Sequence, residues 1–254
     1  MRTIVVKEPD KRIKAIFQSN KSIEYTFLPI YRYSKLPIDG EWINNMQNGF
    51  FHWIVFTSFR SWKIFMQITI KEIGSIPEKT KIAVFGSASV SQIKQSNERV
   101  DFTEKAQNST EFGLKFLNQL NGNENIFYPA SFASSTEIEL CLSKKDIKVY
   151  RENIYKPICI INATKINRIM SNIKPDSMIF FSAKSVKSFV DNCSADILER
   201  ISTMQLFSLG EPTANVLKNY SINKIINPKH PDIYKLADLI YQTSNSKKKK
   251  EVCH

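Results

Sequence analysis

The sequence predicts an α/β protein in which one α/β unit occurs twice, with parallel sheets flanked by helices. Three observations predict it. First, Val55-Phe56-Thr57-Ser58-Phe59-Arg60-Ser61-Trp62-Lys63-Ile64-Phe65 reads as a buried strand turning directly into a helix. It recurs 124 residues later as Ile179-Phe180-Phe181-Ser182-Ala183-Lys184-Ser185-Val186-Lys187-Ser188-Phe189, with five of eleven positions identical. Second, other segments recur at that offset. Ile82-Ala83-Val84-Phe85-Gly86-Ser87-Ala88-Ser89 pairs with Leu206-Phe207-Ser208-Leu209-Gly210-Glu211-Pro212-Thr213, each an apolar run, a glycine and then a hydroxyl. Residues 23–32 pair with 147–156, and the helical pattern at 110–117 pairs with 234–241, with Phe112 and Phe116 in phase with Leu236 and Ile240. A fixed offset over several segments is the mark of a duplication. Third, strand patterns alternate with helix patterns, which favours parallel sheets covered on both faces.

Taken in order, Thr3-Ile4-Val5-Val6 is a short β-branched strand. Residues 11–19 place Ile13, Ile16 and Phe17 on one helical face. Residues 22–28 alternate as a strand, and 29–33 continue extended. Pro37 and Gly40 mark 34–40 as a linker, and 41–49 form a short helix before the opening strand. Helix 61–73, a turn at 77–81, strand 81–85, a sharp turn at Gly86 and helix 87–96 follow. Residues 99–102 are a brief strand, and 109–119 a helix capped by a hydroxyl. The second copy opens with a strand from 125 that ends at Pro129, then helix 134–143. Residues 146–150 and 154–161 are extended and broken near Lys156-Pro157. Helix 163–172, strand 177–181, helix 185–192, strand 205–209, helix 212–220, strand 224–226 and helix 233–242 complete it.

A chain of 254 residues with 42% hydrophobic and 11% aromatic content has room for two ordinary domains with real cores. No apolar run reaches the ~18 residues of a membrane span, so no membrane association is expected. The N-terminus lacks the long apolar segment of a signal peptide. Cys141, Cys159, Cys193 and Cys253 share no close spacing, which argues against a zinc or redox motif and for a reduced, cytoplasmic setting. The net charge is +12, four of it in the lysine run 247–250, which reads as a solvated tail. The remaining basic body suits polyanions: nucleic acid, anionic lipid, or a small molecule carrying many carboxylates. No nucleic-acid-binding motif accompanies it, so no nucleic-acid partner is expected.

In open parallel sheets, ligands bind beyond the carboxyl ends of the strands. Four turns fall there: Thr57-Ser58; Gly86 with Ser87, Ala88 and Ser89; Phe181-Ser182; and Gly210 with Glu211, Pro212 and Thr213. Each opens a helix, where unpaired N–H groups and the positive helix end attract anions. Pro212 suits a first helical turn. The hydroxyls equally suit plain N-capping; their repetition favours a shared carboxylate-binding role. Walker and G-x-G-x-x-G loops are absent, so no nucleotide site is expected, and His52, His230 and His254 are scattered. Arg60 and Lys184 are repeat mates at helix starts, placed to face either an anion or solvent. Tyr155, beside Lys156, can donate a hydrogen bond or a proton, or simply pack; its mate is Tyr31.

Val55-Phe56-Thr57-Ser58, Phe85-Gly86-Ser87-Ala88-Ser89, Phe127-Tyr128-Pro129, 149–155, Ile179-Phe180-Phe181-Ser182 and Gly210-Glu211-Pro212-Thr213-Ala214, in this order and spacing, resemble the uroporphyrinogen-III synthase family over nearly the whole chain. The resemblance implies two flavodoxin-like (Rossmann-like) parallel-sheet domains joined by a two-stranded linker, with a cleft between them. The implied domains are 1–33 plus 160–254, and 38–153, with linker segments 34–37 and 154–159. The implied substrate is hydroxymethylbilane, a linear tetrapyrrole rich in carboxylates. The implied reaction loses water, inverts ring D and closes the macrocycle to uroporphyrinogen III without a cofactor, in a monomer. Tyr155 matches the family's implicated tyrosine, and Ser89 and Thr213 its glycine-turn threonines. The chain departs from the pattern at Phe59, Phe181 and Ala183, and in having Ser89 for threonine. A non-catalytic protein of this fold that binds a tetrapyrrole or another polyanion is the alternative.

Overall fold

The structure, a computed structural model, describes all residues except Asp10, Asn20, Lys21, Asp146, Cys253 and His254; the side chains of Arg12, Gln18 and 247–252 also lie outside the description. In chain order the elements are β1 (Arg2–Val6), α1 (Lys11–Gln18), β2 (Glu24–Phe27), β3 (Tyr31–Lys35), α2 (Glu41–Gln47), β4 (Trp53–Phe56), α3 (Phe59–Glu72), β5 (Lys81–Val84), α4 (Ser87–Lys94), α5 (Ser109–Gln119) and β6 (Asn125–Ser131). There follow α6 (Glu137–Leu142), β7 (Lys148–Cys159), α7 (Ala163–Ile173), β8 (Ser177–Phe180), α8 (Ala183–Val190), α9 (Ala195–Thr203), β9 (Gln205–Ser208), α10 (Glu211–Lys218), β10 (Ile225–Ile226) and α11 (Ile233–Val252).

The chain divides into two compact units, Met1–Arg32 with Cys159–His254, and Tyr33–Ile158. β3 and β7 carry the two crossings. The first unit's sheet has the order β10-β9-β8-β1-β2, all parallel. Read from β2 this is 2-1-3-4-5 in the unit's own chain order, a doubly wound sheet whose order reverses between β1 and β8. The second unit's sheet has the order β3-β7-β6-β4-β5, with a bridge from Ala83 to Phe102 beyond β5. Here the reversal lies between β6 and β4. Each sheet draws strands from both copies of the repeat.

Strand alternation divides each core into two layers. In the first unit Ile4, Val6, Met178, Phe180 and Leu206 pack on one face of the sheet, and Val5, Ile179 and Phe207 on the other. In the second, Ile54, Phe56, Ile82, Val84 and Phe127 oppose Trp53, Val55, Ala83, Ile126 and Tyr128. Strands buried on both faces read as continuous apolar runs, which is what parallel sheets under helices require.

Several elements differ from the sequence expectation. α5 is capped by an amide, not a hydroxyl. Asn108 Oδ1 accepts from Glu111 N–H at 2.9 Å, and Glu111 Oε2 accepts in return from Gln107 N–H at 2.8 Å. Residues 99–102 make only a bridge, because the Asp101 carboxylate captures the Ile82 N–H at 2.7 Å. β6 continues through Pro129. β4 pairs with it only at Ile126 and Phe127, so the missing proline N–H interrupts no ladder on that side. β7 is unbroken at Lys156-Pro157; its irregularity is a bulge opposite Ala130 and Ser131. α9 was not expected, and α11 carries its backbone through the lysine run expected to be a tail.

Candidate functional site

β4 and β8 end at equivalent places, each beside the order reversal of its own sheet. Thr57-Ser58 follows the first and Phe181-Ser182 the second. Ser58 Oγ accepts from Ser61 N–H at 3.1 Å and caps α3. Ser182 Oγ accepts from Ser185 N–H at 3.2 Å, and Ser185 Oγ closes a capping box on α8. Both serines thus serve as N-caps. Ser182 is exposed and Ser58 half-buried. Thr57 Oγ1 lies 3.2 Å from the Tyr128 phenol, whose pKa burial pushes up, so that ring stays neutral beside it.

The two glycine turns look alike in sequence and work differently. Gly86 has φ 90°, a left-handed conformation that favours glycine. Ser89 and Val90 N–H groups both donate to its carbonyl, at 2.9 and 3.0 Å. Ser87 and Ala88 are exposed ahead of those bonds, and Ser89 is half-buried. Gly210 is extended. A Cβ there would come within 3.0 Å of Pro231 Cγ, so close packing is the constraint. Ser208 Oγ, which sequence reasoning passed over, donates to Gly210 O at 3.1 Å and supports the turn from inside. Glu211 and Pro212 are exposed, while Thr213 is only 5% exposed. A carboxylate at Glu211, in the first turn of α10, opposes an anion at that helix end.

The β7 bulge decides where Tyr155 points. Ala130 pairs with Asn153 but Ser131 pairs with Tyr155, so Ile154 is the extra residue. A bulge moves everything beyond it to the other face. Tyr155 therefore joins Ile154 on the face shared with α3, instead of following Arg151 and Asn153. Its phenol lies 3.5 Å from Ser58 Oγ, and its ring packs edge-on to Tyr33 at 5.9 Å. Arg60 stacks over Tyr33, its guanidinium 3.4 Å from the ring centre. In the first unit, the mate Tyr31 bonds Lys184 O at 3.0 Å and the Ser188 hydroxyl, with Lys184 Nζ 5.4 Å from its ring. In each unit, then, a tyrosine, a cation and the helix after the strand at the order reversal (α3 after β4, α8 after β8) are brought together.

In the second unit this joins Thr57, Ser58, Arg60, Tyr33, Tyr128 and Tyr155, with the Gly86 turn on the neighbouring strand; Phe85 N–H donates to Phe56 O at 2.9 Å. Ser182, Gly210 and Thr213 belong to the first unit. Tyr128 enters the sequence reading only within Phe127-Tyr128-Pro129 and Tyr33 only within an extended stretch, since nothing local marks either as a site residue among other strand aromatics. A cavity of about 140 Å³ lined by Asp39, Trp42, Tyr150 and Glu152 lies apart from these turns. Among the described residues no group of three or more His, Cys, Asp or Glu could hold a metal ion, and no helix is long and apolar enough to cross a membrane.

Residues 19–238 match the family model for uroporphyrinogen-III synthase HemD. The chain belongs to the uroporphyrinogen-III synthase family. Members of the uroporphyrinogen-III synthase family are cyclising lyases of haem biosynthesis and act on hydroxymethylbilane. No curated protein sequence matches the chain. Among solved structures, uroporphyrinogen-III synthetase from Helicobacter pylori is similar at a TM-score of 0.63 and 14% identity, over 96% of this chain and 100% of that one. A mutant uroporphyrinogen III synthase from the extremely thermophilic bacterium Thermus thermophilus is similar at 0.59 and 12%, over 97% and 99%. At such identities the likeness establishes the two-domain α/β fold, and the family match carries the activity.

Proposed function

We propose that this chain closes hydroxymethylbilane to uroporphyrinogen III with inversion of ring D and loss of water, as a cytoplasmic monomer. The observation that supports this most is the pairing of one feature in both units. A hydroxyl-capped helix start follows the strand beside each order reversal, at Ser58 and at Ser182. Helix starts of this kind bind anions, and the substrate is a poly-carboxylate. The chain's basic charge of +12 adds attraction at longer range.

In this reading Thr57, Ser58, Ser182 and the N–H groups of the exposed Ser87 and Ala88 hold carboxylates, the Gly210 turn shapes the site in the first unit, and position is most of the catalysis. Tyr155 hydrogen-bonds the departing ring A hydroxyl and assists loss of water as a mild acid. Thr213 contributes through the turn it packs under rather than through an exposed hydroxyl, given its burial. Consumption of freshly made hydroxymethylbilane faster than its spontaneous closure tests the proposal. Unaccelerated consumption at micromolar protein would leave the non-catalytic binding alternative.

A further inference from the structure

All five N–H donors of the Arg151 guanidinium have acceptors. Nε donates to Asn153 Oδ1 at 3.0 Å. Nη1 donates to Glu139 Oε1 at 2.7 Å and Ser135 O at 3.1 Å. Nη2 donates to Ser131 O at 3.1 Å and Ser134 O at 2.9 Å. Three of these five bonds thus end on backbone carbonyls of one loop, 131–136. The other side of the group is closed by an ion pair to Glu139 on α6, with side chains 18% and 21% exposed. An arginine can fill this role because its planar fork reaches several acceptors at once, whereas a lysine is a point charge on a flexible stem.

The loop so held leaves β6 beside β4, at the order reversal of the second unit, where Thr57 and Ser58 begin. Its backbone is tied a second time, by Phe132 N–H donating to Tyr155 O at 2.8 Å. Within it Phe132 is 67% exposed. A single exposed phenylalanine is ordinary. One carried on a loop pinned by a saturated guanidinium, next to the turn assigned to substrate, is a preset platform for another flat ring.

We propose that Arg151 is a positioning residue: it fixes loop 131–136 so that Phe132 stacks on a pyrrole ring of the substrate. This rests on the cyclase reading above. Arg151 itself touches no substrate, because its donors are already used.

The wild-type protein is assayed first. If it makes no isomer III beyond spontaneous closure, the cyclase reading fails, and the platform falls with it. Given an active wild type, kcat, KM and Tm are measured for Phe132→Ala, Arg151→Lys, Arg151→Met and the double variant Phe132→Ala/Arg151→Met. Phe132→Ala should raise KM about tenfold with Tm unchanged. Arg151→Met should lower kcat/KM by up to about tenfold, no more than Phe132→Ala does, because it acts through that ring. Arg151→Lys should recover part of that loss, and the double variant should be scarcely worse than Phe132→Ala alone. Additive losses, or wild-type KM in Phe132→Ala, would overturn the proposal. If Arg151→Met does not fold, Phe132→Ala and Arg151→Lys decide it by the same KM criterion.

Discussion

The phenol of Tyr155 lies 3.5 Å from the hydroxyl of Ser58, the residue that caps α3. The contact exists because one extra residue in β7, Ile154, turns Tyr155 onto the α3 face. Its repeat mate Tyr31 contacts the equivalent helix further along, at Lys184 and Ser188.

Tyr155→Phe should lower turnover without abolishing it. General acid assistance is worth typically 10²–10⁴-fold, and a neighbouring hydroxyl or water can supply part of it, so a loss of about tenfold or more in kcat is expected. The bond to Ser58 is long and the ring stays packed, so stability should change by less than about 1 kcal/mol. Steady-state kinetics with a thermal melt as control checks both. Full wild-type turnover would make Tyr155 a packing residue and move attention to Tyr150 and Ser89.

Thr213→Val keeps shape and removes one hydroxyl at a nearly buried position. KM should rise several-fold as the turn above it loosens, while stability changes by about 1 kcal/mol or less, the usual range for a single substitution that opens no cavity. An unchanged KM would contradict a substrate-binding role for this turn.

Gly113→Ala should destabilise the protein without changing KM. A Cβ on Gly113 in α5 would meet Cys141 Cβ of α6 at 2.9 Å. Overpacking of this kind costs typically 1–3 kcal/mol. Denaturant unfolding measures it, and a midpoint at the wild-type value would show that the helices separate freely.

Glu152 carries a pKa raised above its ordinary 4.5, first by burial and then by the nearby Asp39 carboxylate. A raised carboxyl pKa means the folded protein holds the proton more tightly than the unfolded chain. The charged form therefore costs stability above the folded pKa, and that cost disappears as pH falls below the unfolded value. Glu152→Gln should raise Tm at pH 7 and have no such effect near pH 4. The opposite trend, a gain only at low pH, would contradict the assigned cause.

Much of the fold is legible in the sequence because the duplication is regular. β4 and β8, β5 and β9, and α4 and α10 stand at the same 124-residue offset from first to last residue. The four helix-opening turns follow from the same register. α9 was missed because the first copy has no helix to match it. The bulge at Ile154 left no mark, since nothing in Asn153-Ile154-Tyr155 separates a bulged strand from a regular one. Arg151 was invisible for a similar reason: its acceptors are mostly backbone carbonyls, which any residue could supply, brought together only by the loop's path.

The central claim is that this chain directs ring closure to the inverted product. The most direct measurement incubates purified protein with freshly made hydroxymethylbilane, oxidises the products and separates the uroporphyrin isomers. The account predicts that isomer III predominates and that its share rises with enzyme concentration until isomer I from spontaneous closure is suppressed. An isomer I excess unchanged from the protein-free control, with folding verified, would contradict it.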